Sequence, residues 1–398
     1  MKSIIAERIK NMQPSATLAM AAKSRALAAE GIDMISLSLG EPDFDTPDFI
    51  KQAAKEALDA GYTKYTPVAG LLELREAIVE KFKRDNGLTY TTDQIIVSNG
   101  AKQSLYNILN SILNPGDEII LFAPYWVSYY EMIKLTGATP VILSAGVEEG
   151  YKPSAEALSA AITPKTKAIL YSSPSNPTGA VLTKDELQAY VQVLREYPDI
   201  LVISDEIYEY ILFNPPHVSI AQLEGMQERT AVINGFSKGF AMTGWRLGYM
   251  AGPEWLVKAC SKMQSQVTSG ATSFGQKAAV TALQRGAKST RYMVEEFEQR
   301  RKFMLDTLKT IPSVHCNQPE GAFYLFPDFS AYFGRSFNGQ TVKDADDLTM
   351  YLLEEAHVAL VSGSAFGEKR CIRFSYAASL ETLKEAMRRI ENALSRLT

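Results

Sequence analysis

Lys238 stands in Gly235-Phe236-Ser237-Lys238-Gly239-Phe240-Ala241-Met242-Thr243-Gly244-Trp245-Arg246-Leu247-Gly248-Tyr249, between apolar runs at residues 230–233 and 247–251. This pattern predicts a strand, a turn of small residues and a second strand, with the lysine held in the turn. Ser237 adjoins the lysine, and Arg246 follows within the same segment. A hydroxyl and a guanidinium placed so could anchor a phosphate-bearing cofactor while the amine condenses with a carbonyl, the layout of a Schiff-base lysine. A lone lysine in a loop is more often a solvated surface charge; its neighbours argue against that here.

Other polar and small residues stand where apolar runs stop. Residues 94–98 lead into Asn99-Gly100-Ala101-Lys102, and residues 118–123 into Pro124-Tyr125-Trp126. Residues 168–171 precede Ser172-Ser173-Pro174-Ser175-Asn176-Pro177-Thr178-Gly179, and residues 200–204 precede Asp205-Glu206-Ile207-Tyr208. In open α/β sheets, ligands bind beyond the carboxyl ends of the strands. Gly100, Trp126, Asn176, Asp205, Tyr208 and Lys238 are therefore candidates for one pocket.

Pyridoxal 5′-phosphate carried covalently on Lys238 would make four demands on such a pocket. A protonated pyridine nitrogen calls for a buried carboxylate, and Asp205 closes an apolar strand. The ring oxygen calls for donors, which Tyr208 and Asn176 supply. The phosphate calls for a helix N-terminus and a cation, offered by Gly100-Ala101-Lys102 and by Ser237 with Arg246. The ring calls for a flat neighbour, and Trp126 is one. Arg373 could clamp the α-carboxylate of an amino-acid substrate. Singly each has a plain structural alternative: Asp205 as a helix cap, Arg373 as a surface arginine on an edge strand.

The elements that must position these residues alternate strand and helix through the middle of the chain, the mark of a mainly parallel sheet covered on both faces. Helical patterns are expected over residues 16–30, 47–60 and 290–308, with a loop at residues 64–70. After about residue 285 the order changes to helices and a few short strands, which predicts an α+β unit. At 398 residues, two domains are expected. A net charge of −4 gives no bulk attraction to nucleic acid or anionic membrane. Cys260, Cys316 and Cys371 are scattered, and none of His217, His315 and His357 pairs with a cysteine or carboxylate at ligand spacing, so no metal site is expected. No leader or membrane-spanning run is visible, and a cytoplasmic location is expected.

With these motifs in order, the chain resembles the class I aminotransferases of fold type I, most closely the bacterial aspartate aminotransferases. The likeness runs nearly end to end, through Pro14-Ser15-Ala16-Thr17, Gly40-Glu41-Pro42-Asp43-Phe44, Asn176-Pro177-Thr178-Gly179, Ser237-Lys238, Met242-Thr243-Gly244-Trp245-Arg246 and Arg373-Phe374-Ser375-Tyr376. The resemblance implies an α/β fold type I transferase that transfers the amino group of L-aspartate to 2-oxoglutarate. It implies an N-terminal arm over residues 1–45 that is part of the small domain. A large cofactor-binding domain with a mainly parallel seven-stranded sheet follows over 46–285, and the small C-terminal domain over 286–398. By the same likeness Lys238 bears the cofactor and shuttles a proton, Asp205 pairs with the pyridine nitrogen, and Tyr208 and Asn176 hold the ring oxygen. Arg246 binds the phosphate, while Gly40, Trp126, Asn176 and Arg373 receive the α-carboxylate region. Lys102, Ser15 and Thr17 read the distal carboxylate. A homodimer with composite sites is implied, Tyr65 reaching the phosphate of the neighbouring subunit. Gln13 replaces the basic residue of relatives that accept prephenate, and Ala101 replaces a glycine of the phosphate turn. An aromatic or alanine preference, or a cysteine-conjugate lyase, remains an alternative.

Overall fold

The computed structural model describes residues 4–214 and 216–398. Its centre is a seven-stranded sheet built from β1 (Ile95–Ser98), β2 (Glu118–Ala123), β3 (Thr139–Ser144), β4 (Thr166–Ser172), β5 (Leu201–Asp205), β6 (Thr230–Gly235) and β7 (Gly248–Ala251). The spatial order is β1-β7-β6-β5-β4-β2-β3, and only β7 runs antiparallel to its neighbours. Sequences such as Ile119-Ile120-Leu121-Phe122 and Leu201-Val202-Ile203 are apolar on both faces because helices cover both faces, and these residues are buried. β3, at one edge, buries only Leu143 instead.

Helix packing locks the strand ends in place. The helix Ala101–Ile112, α1, follows β1 directly, and Gly248 on β7 makes room for it: a Cβ there would lie 2.2 Å from the Ala101 amide nitrogen. Gln264, on the helix Glu254–Val267, is fully buried and acts as a polar rivet. Its carbonyl accepts from Ser98 at 2.8 Å and Asn107 at 3.0 Å, and its amide donates to the Val68 and Val97 carbonyls. A buried amide satisfied on every side fixes one geometry and resists repacking.

The C-terminal third adds β8 (Tyr324–Leu325), β9 (Val361–Ser362) and β10 (Ile372–Ser375), ordered β9-β10-β8 and antiparallel. The N-terminal segment joins this part of the chain. Ile35–Ser36 pairs in parallel with Val358–Ala359, Leu37 accepts from the Ser375 amide, and one apolar core runs from Leu37 to Leu397. That core also contains Tyr208 from the loop after β5, so the sheet's carboxyl edge and the C-terminal third meet at a functional candidate. Among the described residues, no helix is long and apolar enough to cross a membrane.

Candidate active site

A cavity of about 290 Å³ opens at the carboxyl ends of β2, β4, β5 and β6. Trp126, Asn176, Asp205, Tyr208 and Lys238 line it, each just at or beyond a strand end. Ala101, Lys102, Ser237 and Arg246 also line it, as do Ser15, Thr17, Gly40 and Arg373. The two segments that close the chain's ends over the sheet thus supply part of the wall. Tyr65 and Gly100 are the exceptions: Tyr65 is 99% exposed, Gly100 stands just before Ala101, and neither lines this cavity.

Asp205 is the last residue of β5 and is buried. No helix follows it, so a capping role is out. One carboxylate oxygen accepts from the Tyr129 hydroxyl at 2.6 Å and the other from the Ile207 amide at 3.2 Å. Burial pushes its pKa up to about 6 against the pull of those two donors, with the Glu206 charge adding to the rise and the Lys238 charge opposing it. Such a carboxylate gains most from a close cation in the cavity. Lys238 lies in the loop between β6 and β7, its amine donating to the Gly40 carbonyl at 2.6 Å. Burial brings its pKa down to about 8, with Arg246 and Arg373 pressing in the same direction and Glu41 and Asp205 opposing.

Arg246 takes a left-handed backbone conformation with φ 54°, unusual for a residue with a side chain and costing about 1–2 kcal/mol. The turn aims its guanidinium at Gly100: a Cβ on Gly100 would sit 2.5 Å from Nη2. Gly100 itself carries φ 81° and caps α1 with no side-chain bond to the first turn. The positive φ falls on Gly100, which leaves Ala101 in the helix without strain. The free amides of that first turn, the Ser237 hydroxyl and the Arg246 cation converge as an anion site.

Arg373, on β10, is 1% exposed, which excludes the surface reading. Nη1 donates to Asn176 Oδ1 at 2.9 Å and Nη2 to the Ser38 carbonyl, while Nε has no partner. Among the described residues it has no carboxylate partner either. A guanidinium buried in this state is built to receive an anion. At the far side, Lys102 lies 4.6 Å over the Trp126 ring, its pKa lowered by burial and then by Arg246. Thr17 Oγ1 is buried without a partner, and Ser15 caps that helix through its backbone carbonyl, which accepts from the Ala19 amide at 2.9 Å, while its hydroxyl makes no capping bond.

Three contributors were not legible as site residues in the sequence. Tyr129 donates to Asp205, Tyr324 meets the Tyr208 hydroxyl at 2.7 Å, and Glu41 bonds Thr243 beside Lys238. The available signal for Tyr129 is its place one helical turn after Trp126, where a buried phenol must find an acceptor. The histidine expectation needs correction. His217 Nε2 lies 2.7 Å from Glu206 Oε2, with both side chains buried. Ligand atoms of Glu206, Glu209 and His217 lie within 4.8 Å of one another, but Lys81 already pairs with Glu209 as the local cation.

The comparisons agree with this geometry. A family model described as aminotransferase class I and II matches residues 32–390. The chain belongs to that family. It is 48% identical over 395 residues to a bifunctional aspartate aminotransferase and glutamate/aspartate-prephenate aminotransferase of Petunia hybrida, covering 98% of this chain and 82% of that protein. It is 48% identical to the aspartate/prephenate aminotransferase of Cereibacter sphaeroides, covering 98% of both. Among solved structures, an aspartate aminotransferase from Rhizobium meliloti superposes with a TM-score of 0.96 at 43% identity over the whole of both chains. An aspartate aminotransferase from Thermus thermophilus with maleate gives 0.92 at 41% identity, over 99% of this chain and 100% of that one.

Membership of the aminotransferase family implies pyridoxal phosphate, and the residues present fit it. An amine of lowered pKa, a buried carboxylate in want of a cation, and a helix N-terminus beside an arginine would suit its aldehyde, pyridine nitrogen and phosphate respectively.

Proposed function

We propose that this aminotransferase exchanges the amino group of L-aspartate with 2-oxoglutarate, giving oxaloacetate and L-glutamate, with pyridoxal phosphate held covalently by Lys238. The observation that carries the reading is the placing of Lys238, Asp205 and the carboxylate-free Arg373 around one cavity. In it Asp205 holds the pyridine nitrogen protonated, and Tyr208 and Asn176 face the ring oxygen. Trp126 covers the ring, while Ala101, Lys102, Ser237 and Arg246 hold the phosphate. When bound, the cofactor supplies the electron sink for the bond broken at the substrate's α-carbon. Arg373 binds the α-carboxylate and so orients the α-proton toward Lys238. The lysine Nζ, once free, accepts that proton and redelivers it; a pKa near 8 keeps part of it neutral at working pH. Closure of the N-terminal segment and the C-terminal third over the cavity excludes water.

The preference for aspartate rests on the distal wall. Lys102 has no carboxylate partner among the described residues, and Thr17 Oγ1 has none of any kind. A dicarboxylate satisfies both, and the Thermus relative is described with maleate, a dicarboxylate. Gln13 lines an adjoining cavity of about 550 Å³ with Ser15 and Lys102; it stands where relatives that accept prephenate carry a basic residue, which argues against prephenate as a substrate. The chain acts as a homodimer in which Tyr65 completes the partner's phosphate site, and the cytoplasm is its expected compartment.

Half-reaction spectroscopy tests the assignment. The holoenzyme is mixed in turn with aspartate, glutamate, alanine, phenylalanine and prephenate's amino product, and loss of the cofactor's visible band is followed. Conversion by aspartate and glutamate alone is expected. Comparable conversion by alanine or phenylalanine would remove the distal role of Lys102, and pyruvate with ammonia from a cysteine conjugate alone would make the enzyme a lyase.

A further inference from the structure

Tyr324 has no part in the assignments above, yet it touches three of their members. It is fully buried on β8, and its hydroxyl lies 2.7 Å from that of Tyr208. The guanidinium carbon of Arg373 lies 4.7 Å from the Tyr324 ring centroid, and Phe366 lies against the same guanidinium at 4.9 Å. A Cβ on Gly40 would come within 2.4 Å of the Tyr324 hydroxyl. Gly40 is the residue whose carbonyl accepts from Lys238. β8 and β10 account for the arrangement, since Tyr324 pairs with Ser375 and Leu325 with Phe374, next to Arg373.

Arg373 holds its position without any carboxylate. Two hydrogen bonds and two aromatic faces are its support, and cation–π contact is strongest where the cation is desolvated, as here. Tyr208 faces a donor-count constraint: a phenol has one O–H. If Tyr208 gives that hydrogen to the cofactor's ring oxygen, its contact with Tyr324 is made by Tyr324 donating to the Tyr208 oxygen. A phenol that accepts one hydrogen bond is a better donor of its own. Burial raises the pKa of both phenols, so each keeps its proton.

We propose that Tyr324 is a positioning residue for both halves of the site: its hydroxyl fixes the Tyr208 phenol toward the cofactor's ring oxygen, and its ring fixes the Arg373 guanidinium for the substrate's α-carboxylate. The inference rests on the cofactor reading given above. It also explains the glycine at position 40, since any side chain there displaces the Tyr324 hydroxyl.

The test compares wild-type, Tyr324→Phe, Tyr324→Leu, Gly40→Ala and the Gly40→Ala/Tyr324→Phe double variant as holoenzymes. Two readouts separate the roles: the pH midpoint of the bound cofactor's visible band without substrate, and the KM for aspartate against kcat. Weaker donation by Tyr208 leaves the ring oxygen less well stabilised as an anion. Tyr324→Phe is therefore expected to raise the midpoint by roughly half a unit to one unit, the size of one hydrogen bond, with KM within about threefold of wild type. Tyr324→Leu should add a rise in KM of about tenfold, because the cation loses its aromatic face. Gly40→Ala should raise the midpoint with Tyr324 still present, and the double variant should show no further shift. Gly40→Ala also reads the contact if Tyr324→Phe fails to fold. An unshifted midpoint in Tyr324→Phe and Gly40→Ala, shifts that add in the double variant, or equal KM values for Phe and Leu at position 324 would overturn the proposal. A wild-type enzyme with no titrating band fails before any substitution, and would sink the cofactor reading and this inference together.

Discussion

A lysine amine with the ordinary pKa of 10.5 is almost wholly protonated at neutral pH and a poor nucleophile. Burial and the two arginines change this for Lys238, lowering its pKa to about 8. The rate at which the cofactor-free enzyme captures an aldehyde should therefore rise with pH through a midpoint near 8 and level off above it, as borohydride trapping at Lys238 would show. A midpoint near 10 would mean that the amine is solvated. Asp205 makes a second prediction at this scale. Its buried carboxylate lines the cavity beside Lys238, so replacing it with alanine removes a charged hydrogen bond to the pyridine nitrogen. The loss should weaken cofactor binding roughly 10- to 100-fold, from about 1.5–3 kcal/mol, in an equilibrium titration of the cofactor-free enzyme.

At the scale of elements, legibility followed periodicity. β2, β5 and β6 carry the apolar runs 119–123, 201–203 and 231–233 and end in Ala123, Asp205 and Gly235, so their carboxyl ends and the residues beyond them could be read directly. The lysine loop was legible for the same reason, being small residues between two such runs. Contacts made by loops that fold back were not: nothing in the spacing of Glu206 and His217, or of Lys81 and Glu209, announces that they meet. Tyr324 was passed over because a tyrosine in an apolar strand looks like core until its hydroxyl's partner is known. The Glu206–His217 pair lies under the Asp205–Tyr208 turn, with Ser204 and Ser219 also donating to Glu206 at 2.8 and 2.6 Å. Removing His217 leaves Glu206 buried and short of a partner, so His217→Ala should destabilise the fold by about 3–5 kcal/mol. The pH dependence has a definite sign. For His217, burial lowers the pKa but the Glu206 charge and hydrogen bond outweigh it, so the folded value is raised and the stabilisation is lost as pH climbs through it. For Glu206 the His217 contact overcomes burial and lowers the pKa, so stabilisation is lost as pH falls through that lowered value. The difference in unfolding free energy between wild type and His217→Ala should be greatest between the ordinary values of 4.5 and 6.5 and shrink at alkaline pH. A gap that widens at alkaline pH would contradict the pairing.

The molecule as a whole places its cavity where the sheet's carboxyl edge meets a core built from both chain ends, so neither part alone encloses it. One side chain of the expected site stays outside this enclosure. Tyr65 is 99% exposed on a loop that is tied down at the next residue, the Thr66 hydroxyl donating to the Ala271 carbonyl at 3.2 Å. A large aromatic side chain fixed in that position is an unsatisfied element unless a second copy receives it. The dimer reading makes this a quantitative matter. Take one variant with Tyr65→Ala and another with Lys238→Ala, each assayed at limiting cofactor. Tyr65→Ala should bind the cofactor weakly and Lys238→Ala should lose at least roughly 10²-fold in rate, having no proton shuttle. In a mixed dimer, the cavity of the Tyr65→Ala subunit has its own Lys238 and receives the partner's intact tyrosine; the other cavity carries both lesions. Equal mixing under subunit exchange makes about half the dimers mixed, each with one whole site, so activity should return to about a quarter of wild type. If Tyr65 serves the cavity of its own chain, every cavity in the mixture still carries one lesion, and activity stays at the mean of the two parents.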